Sequence, residues 1–256
     1  MRIEQRLEIW THFINAQQAT LDQIQGWPHF QGLVGAADAV YRWPMSVAPH
    51  PDAPAIFARI LLICHKSLLS AATLIARGQP EDSTGITRRA LEAARVALAI
   101  KINDANTEQW TAYQLRHDRW LKRQSNERPR PFVVRFADVQ GDALIEKIDT
   151  HLGILSDASV HFTPEFYSSL DWEVRTSPDG NGEVFLNYFR KSQREIEFQF
   201  IQLSAAHLAI LEALNRCYDG RFMQDDDCRA RLAGLFERGR ALNEAYHRDN
   251  GTAQPE

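Results

Sequence analysis

The 256-residue sequence is poor in cysteine, and its cysteines are not placed to act together. Cys64, Cys217 and Cys228 are the only three, and they lie far apart along the chain. This spacing excludes a disulfide framework and a paired zinc motif of the C-x-x-C type. We therefore predict that all three are reduced, structural thiols.

Long uncharged apolar runs are also missing. No run approaches the about 18 apolar residues that a membrane span needs, and the N-terminus mixes charged with apolar residues where a signal peptide has a continuous apolar core. The formal net charge of -4 argues against a protein that is basic throughout, as dedicated nucleic-acid binders usually are. We expect a cytoplasmic protein without membrane contact.

The signature motifs of the commonest enzymes are absent from the sequence. There is no H-E-x-x-H zinc motif, no G-x-S-x-G elbow, no G-x-x-x-x-G-K phosphate loop and no G-x-G-x-x-G dinucleotide turn. A di-iron bundle needs two Glu-x-x-His motifs, and only Glu244 to His247 has this spacing. We predict no metal and no cofactor, assign no catalytic residue, and leave open whether the chain is an enzyme.

Helical periodicity covers most of the chain, with apolar residues at steps of three and four. This pattern predicts an all-α fold, an antiparallel bundle of about seven helices in one domain over residues 1 to 250, followed by a disordered tail at 251 to 256. The predicted helices are Ile3 to Ile24, Pro54 to Arg77, Ser83 to Asn103, Thr107 to Gln124, Ala137 to Ser159, Gln193 to Tyr218 and Asp225 to His247, with a short helix at Val34 to Tyr41.

One segment interrupts the helical pattern. Near residues 171 to 189, two stretches of alternating apolar residues flank a turn rich in Gly and Asp. We predict a small β-hairpin or extended insertion that lies on the helical body.

A polar cluster on the predicted core helices is the first candidate site. Arg88, Glu92 and Arg95 lie three and four residues apart beside the apolar face of the third helix, and Ser156 and His161 end the fifth. If the helices bury these faces together, Arg88, Glu92 and His161 should converge on a ligand-binding pocket. The alternative is an ordinary solvated ion network.

His65 and His207, which lie among leucines and isoleucines at helical spacing, are predicted to be satisfied core or interface histidines.

A basic segment is the second candidate site. It carries seven arginines and lysines against two carboxylates; the cations are Arg116, Arg119, Lys122, Arg123, Arg128, Arg130 and Arg135. We predict that Arg116, Arg119 and Arg123 carry any nucleic-acid contact. The aromatic residues Trp110, Tyr113 and Trp120 occupy an arc opposite these arginines, so we predict that they are core residues and not a stacking platform. The alternative is that these arginines bind no nucleic acid and only form the side of the helix that faces water.

The sequence ITRRALEAARVALAI followed by LSDASVH resembles a group of helical bacterial proteins of unknown function over residues 55 to 165. The positions that match are Arg88, Glu92, Ser156 and His161. That group is similar in turn to HEPN helical bundles, many of which are RNases of toxin and phage-defence systems. The HEPN spacing of Arg and His occurs at Arg6/His12, Arg59/His65 and Arg240/His247, but an apolar residue follows each arginine. The resemblance therefore implies the fold more than catalysis.

Three functions follow as expectations. The first is a bacterial protein that binds a ligand or partner at the polar cluster around Arg88, Glu92, Arg95, Ser156 and His161. The second is a HEPN-like RNA-acting enzyme that pairs Arg and His across a homodimer. The third is an adaptor that contacts another protein through exposed aromatic residues between 27 and 43.

Overall fold

The computed structural model describes residues 34–42, 55–130, 132, 134, 136–159, 172–176, 182–186 and 193–249, with six helical positions between 11 and 22. The first predicted helix lies mostly outside these residues, and the predicted tail at 251 to 256 lies wholly outside them. The chain is mainly helical, as the periodicity predicts.

Besides the helical positions between 11 and 22, the described part of the chain contains eight α-helices. They are α1 (34–42), α2 (Ala55–Ala76), α3 (Pro80–Ile102), α4 (Asp104–Leu121), α5 (Ala143–Ser159), α6 (Gln193–Cys217), α7 (Arg221–Gln224) and α8 (Asp226–Asp249). The predicted helices from the second to the seventh are all present, with ends shifted by a few residues.

Two of these shifts have local causes. Helix α3 begins at Pro80 and not at Ser83, because proline needs no hydrogen-bonded N–H in the first helical turn. The predicted fifth helix is divided into a 3-10 turn at Phe136–Val139 and helix α5, with Gly141 between them at φ +84°. A residue with a side chain is strained in that left-handed conformation, so the glycine permits the break.

Helix α3 lies at the centre of the core. It packs against α2, α6 and α5, and its buried side is made largely of small residues, including the fully buried Ala90, Ala94 and Ala97. Small side chains allow neighbouring helices to approach closely, so one helix can contact three others. Larger apolar residues such as Leu91, Leu98, Ile148 and Ile210 fill the remaining space.

Helix α4 leaves this core through a joint of one residue. The Asn103 side chain caps α4 by accepting a hydrogen bond from the Ala105 N–H at 2.8 Å. The side chains of Asn106 and Thr107 donate to the carbonyls of Ala99 and Ile100, at 3.2 and 2.7 Å. The Ala99 carbonyl also accepts from the Asn103 N–H at 3.3 Å, so the side-chain bonds add to the helical ones in the last turn of α3 and tie α4 to it.

Two strands lie between α5 and α6 in sequence. Trp172–Thr176 and Gly182–Leu186 pair antiparallel, with Val174 opposite Val184. The residues that connect them lie outside the described part of the chain.

Candidate functional site

The charged pair on α3 that we predicted as part of a polar cluster is an exposed pair. Arg88 Nε lies 3.0 Å from Glu92 Oε1 one turn away, and the two side chains are 29% and 51% exposed. An intrahelical pair in this setting stabilises the helix by about 0.3 to 0.5 kcal/mol. Its members bond each other, so the described contacts favour the solvated alternative for this part of the cluster.

Arg95 joins three elements of the core. Its guanidinium contacts Asp149 of α5 through two nitrogens, at 2.7 and 2.8 Å, and its central carbon lies 3.8 Å from the ring centroid of Phe136. A two-pronged contact with a carboxylate and stacking on an aromatic ring are geometries that lysine does not reproduce. Arg95 therefore ties α3 to α5 and to the 3-10 turn.

The remaining members of the cluster lie on or beyond α5. Ser156 Oγ donates a 2.6 Å hydrogen bond to the Leu152 carbonyl within its own helix. His161 lies outside the described residues, so the convergence of Arg88, Glu92 and His161 stays a prediction.

The Arg and His spacings typical of HEPN ribonucleases are engaged in other contacts where they are described. The His65 imidazole of the second spacing bonds Asp38, with Nε2 2.6 Å from Oδ1. Arg240 of the third spacing contacts Glu237 at 2.6 Å and Glu244 at 3.7 Å. The first spacing, Arg6/His12, lies outside the described residues.

The basic segment forms an open groove at the C-terminal end of α4, which we call the arginine groove. Its volume is about 850 Å³. It is lined by Arg116, Arg119, Gln124, Ser125, Glu127, Arg128, Pro129 and Arg130. Four guanidinium groups thus share one concave surface with a single carboxylate. Two of the three arginines that we predicted for nucleic-acid contact, Arg116 and Arg119, lie in this lining.

The third, Arg123, lies in the turn that leads from α4 into the groove. The Gln124 N–H donates to the Arg119 carbonyl at 2.8 Å and the Arg123 N–H donates to the Trp120 carbonyl at 3.0 Å. This is a Schellman ending, in which the residue at the left-handed position is usually glycine. Arg123 occupies it at φ +55°, a conformation that costs a residue with a side chain about 1 kcal/mol or more.

Among the described residues, the four arginines of the groove have no ion-pair partner. Within the described residues, no ion pair joins Arg116, Arg119, Arg128 or Arg130 to a carboxylate, whereas Arg88, Arg95 and Arg216 each contact one. Clustered cations without counter-ions repel one another and create a positive potential in the concave space. The groove therefore presents a surface that favours a ligand with several negative charges.

An aromatic row runs along α4 towards this groove. It consists of Trp110, Tyr113, His117 and Trp120, whose successive ring centroids are 5.6, 5.7 and 5.7 Å apart. Phe132, after the groove loop, meets Trp110 edge to face at 5.2 Å. The row begins at the core and ends beside the arginines.

The structure corrects our prediction that Trp110, Tyr113 and Trp120 are all core residues. Trp110 packs against the described core, but Tyr113 and Trp120 are half-buried and are not among the side chains that do so. An arginine from the groove loop also reaches the row, since the Arg128 guanidinium carbon lies 5.8 Å from the Trp120 ring centroid. The helical spacing identified a shared arc but not what that arc faces.

A second polar cluster lies between α1, α2 and α6. Asp38 contacts both His65 at 2.6 Å and Arg42 at 2.7 Å. The Tyr41 ring stacks on His65 with centroids 5.6 Å apart, and Tyr41 Oη is hydrogen-bonded to His207 Nδ1 at 2.7 Å. We predicted satisfied histidines at 65 and 207 but missed Asp38 and Tyr41. Their spacing on one short helix was the available signal, although nothing in it identifies partners on other helices.

His207 is held neutral in this cluster. Burial, and after it the charge of His65, lowers the pKa of His207 from 6.5 to about 3. Its Nε2 atom is buried and has no hydrogen-bond partner among the described protein atoms. His207 also lines a cavity of about 10 Å³ with Ser204, Leu203 and Leu235, which is close to the least space that holds a water molecule.

The three cysteines are buried, free thiols. Burial raises the pKa of Cys64 and of Cys217 to about 12, and that of Cys228 to about 11. Thiols with pKa values this high carry almost no thiolate at neutral pH and are poor nucleophiles.

Two further properties bear on function. Within the described residues, no group of three or more His, Cys, Asp and Glu side chains is arranged to hold a metal ion. One described helix, Ile56–Ala76, is long and apolar enough to cross a membrane, and 44% of its most apolar window is buried. Core helices of soluble proteins have the same composition, so this helix does not decide the localisation.

Comparisons of the chain with models of protein families, with curated proteins and with solved structures find no match.

Proposed function

We propose that the chain binds nucleic acid through the arginine groove, by electrostatic contact with the phosphate backbone. The observation that supports this proposal best is the presence of Arg116, Arg119, Arg128 and Arg130 in one groove, with no ion pair to a carboxylate in the part of the chain that the structure describes. A guanidinium group can donate two hydrogen bonds to the oxygens of one phosphate, and a nucleic-acid backbone supplies phosphates at regular intervals.

The dimensions of the groove support a polymer more than a single small anion. A pocket of about 850 Å³ is at the upper end of the range for small-molecule sites, which are mostly lined by apolar side chains. This groove is open and lined by charged and polar groups. A strand can enter at one end, place successive phosphates on the arginines and leave at the other.

The proposed affinity is non-specific, because the segment has clustered charge but no base-reading motif. We also expect binding to be confined to this segment. The whole chain has a formal net charge of -4, so regions outside this segment repel a polyanion.

We infer that the helices form one antiparallel bundle with the strand pair as an insertion, and that the groove lies on one end of this body.

Salt-dependent binding tests the proposal. A fluorescein-labelled 15-nucleotide single-stranded RNA, and a DNA of the same sequence, would be titrated by anisotropy between 50 and 200 mM KCl. Replacing Arg116, Arg119 and Arg123 together by Gln should weaken binding of both strands. It should also lower the slope of log K against log salt by about 2, because each lost phosphate contact on a single strand removes about 0.7.

A matched control separates the groove from general charge. Arg59, Arg89 and Arg238 are exposed arginines outside the segment, and replacing all three by Gln changes the net charge by the same amount. We expect this control to keep the salt slope of the wild-type protein. If the control weakens binding as much as the groove variant, or if neither strand binds at 50 mM KCl, the proposal is wrong.

The second candidate function is ligand binding at the cluster of Arg88, Glu92, Arg95, Ser156 and His161. The contact that favours it is the ion pair between Arg95 of α3 and Asp149 of α5, in which Arg95 Nη2 donates a 2.8 Å hydrogen bond. A HEPN-like RNase is tested in the same assay. RNA cleavage that survives the groove substitutions but is lost on mutating His65 or His247 would favour it.

A further inference from the structure

The aromatic row on α4 ends where the arginine groove begins, and this junction has an open geometry. Trp120 is the last ring of the row, 5.7 Å from His117, and the Arg128 guanidinium faces it from the groove loop. Half-buried aromatic rings beside cations combine two of the features by which proteins hold single-stranded nucleic acid.

The distance between Arg128 and Trp120 is informative when compared with a closed contact in the same chain. Arg95 lies 3.8 Å from the Phe136 centroid, which is direct stacking. Arg128 lies 5.8 Å from the Trp120 centroid. A base between two planar groups needs about 7 Å, twice the stacking distance of about 3.4 Å. Arg128 is exposed, so a further opening of about 1 Å requires only side-chain rotation.

We propose that one base of a bound single strand stacks between Trp120 and Arg128 while its neighbouring phosphates lie on Arg116 and Arg119. This inference rests on the proposed function and adds the class of nucleic acid to it. A base inside a duplex is already stacked on its neighbours and has no free face. The site therefore selects single strands over duplexes of the same length, without a preference for sequence, because every base has a stacking face.

The His117 ring contributes to the same surface. It lies between Tyr113 and Trp120 at 5.7 Å from each. The aromatic row thus anchors the stacking ring to the core through Trp110, which packs against it.

Abasic oligonucleotides separate stacking from phosphate contact. A 15-nucleotide single strand and an otherwise identical strand of abasic sites carry the same number of phosphates, so the arginine groove should bind both. We expect the strand with bases to bind roughly 5- to 150-fold more tightly, the range that corresponds to stacking of one base. Trp120→Ala should abolish this difference, and Trp120→Phe should keep part of it.

A neighbouring substitution provides the control. Leu121 is 60% exposed and adjoins Trp120, and Leu121→Ala should leave the preference for bases unchanged. Thermal unfolding checks that each variant is folded. If Trp120→Ala does not fold, the comparison of the two strands on the wild-type protein and on Trp120→Phe still decides the question.

The outcomes distinguish the two proposals. Binding of neither strand means that the proposed function is wrong. Equal binding of both strands, or a preference for bases that persists in folded Trp120→Ala, overturns the stacking site and leaves the phosphate groove standing. A duplex that competes as well as the single strand also contradicts the stacking site.

Discussion

His207 should make the stability of the protein depend strongly on pH between about 6.5 and 3. The imidazole is fully buried, and burial, with the charge of His65, lowers its pKa to about 3 in the folded protein. An unfolded histidine has a pKa of about 6.5. Below that pH the unfolded chain takes up a proton that the folded protein does not, so stability is complete above pH 6.5 and falls as pH decreases.

The magnitude follows from the two pKa values. Between pH 7 and pH 4, protonation of His207 in the unfolded state alone should lower the free energy of unfolding by about 3 kcal/mol. This is a large fraction of the about 5 to 15 kcal/mol that stabilises a typical domain. Other titrating groups add their own dependence, so the contribution of His207 has to be isolated by comparison with a variant.

The assay is urea denaturation at pH 7, 6, 5 and 4 for the wild-type protein and for the double variant His207→Phe with Tyr41→Phe. The second change removes the Tyr41 hydroxyl, which would otherwise be left buried without its partner. We expect the wild-type protein to lose about 3 kcal/mol more than the double variant between pH 7 and pH 4. Parallel profiles would refute the reasoning, because His207 would then titrate alike in the folded and unfolded states.

Two other substitutions test features of α4. Arg123→Gly should raise the free energy of unfolding by about 0.5 to 1 kcal/mol, because glycine adopts the left-handed conformation without strain, and should weaken binding of single-stranded RNA in anisotropy titrations. Asp219, at φ +55°, is the matched control, since Asp219→Gly should leave RNA binding unchanged; equal effects of the two on binding would contradict a role for the Arg123 side chain. Asn106→Ala should lower the free energy of unfolding in urea by about 0.5 to 1.5 kcal/mol, because it removes one buried hydrogen bond to the Ala99 carbonyl. A loss below the error of that measurement would mean that the joint contributes little.

The sequence predicted helices well where glycine and proline at the helix ends agree with the hydrophobic periodicity. Gly78 and Pro80 mark the turn between α2 and α3, and in the structure Gly78 takes φ +75° there. The amphipathic pattern of α3 also predicted its apolar side, on which Leu91 and Leu98 are fully buried. These are local properties, decided by residues within a few positions of each other.

The candidate sites were predicted less well, because they depend on contacts between distant residues. Tyr41 and His207 are 166 positions apart, and no local pattern identifies such a pair. Spacing on α4 placed three aromatic residues in one arc, but it could not show that only Trp110 reaches the core. Arg116 and Arg119 were predicted because clustered charge is visible without knowledge of the fold. Arg128 and Arg130 belong to the same basic segment of the sequence, but only the fold shows that the loop brings them into one groove with Arg116 and Arg119.

The one-residue joint between α3 and α4 has a consequence for how this protein tolerates insertions. Asn103 has an extended backbone, φ -122° and ψ 112°, that separates the two helices, and the side chains of Asn106 and Thr107 bond α4 to the last carbonyls of α3. A single residue added to α4 just after Thr107, if the helix continued through it, would turn every later position of α4 by about 100° around the helix axis and advance it by about 1.5 Å. The buried alanines of α3 would keep their places, while the arginines would point in a new direction. The number of residues near this joint therefore determines the direction in which the groove faces. We expect homologous chains that share the groove to differ in length at their surface loops and not here.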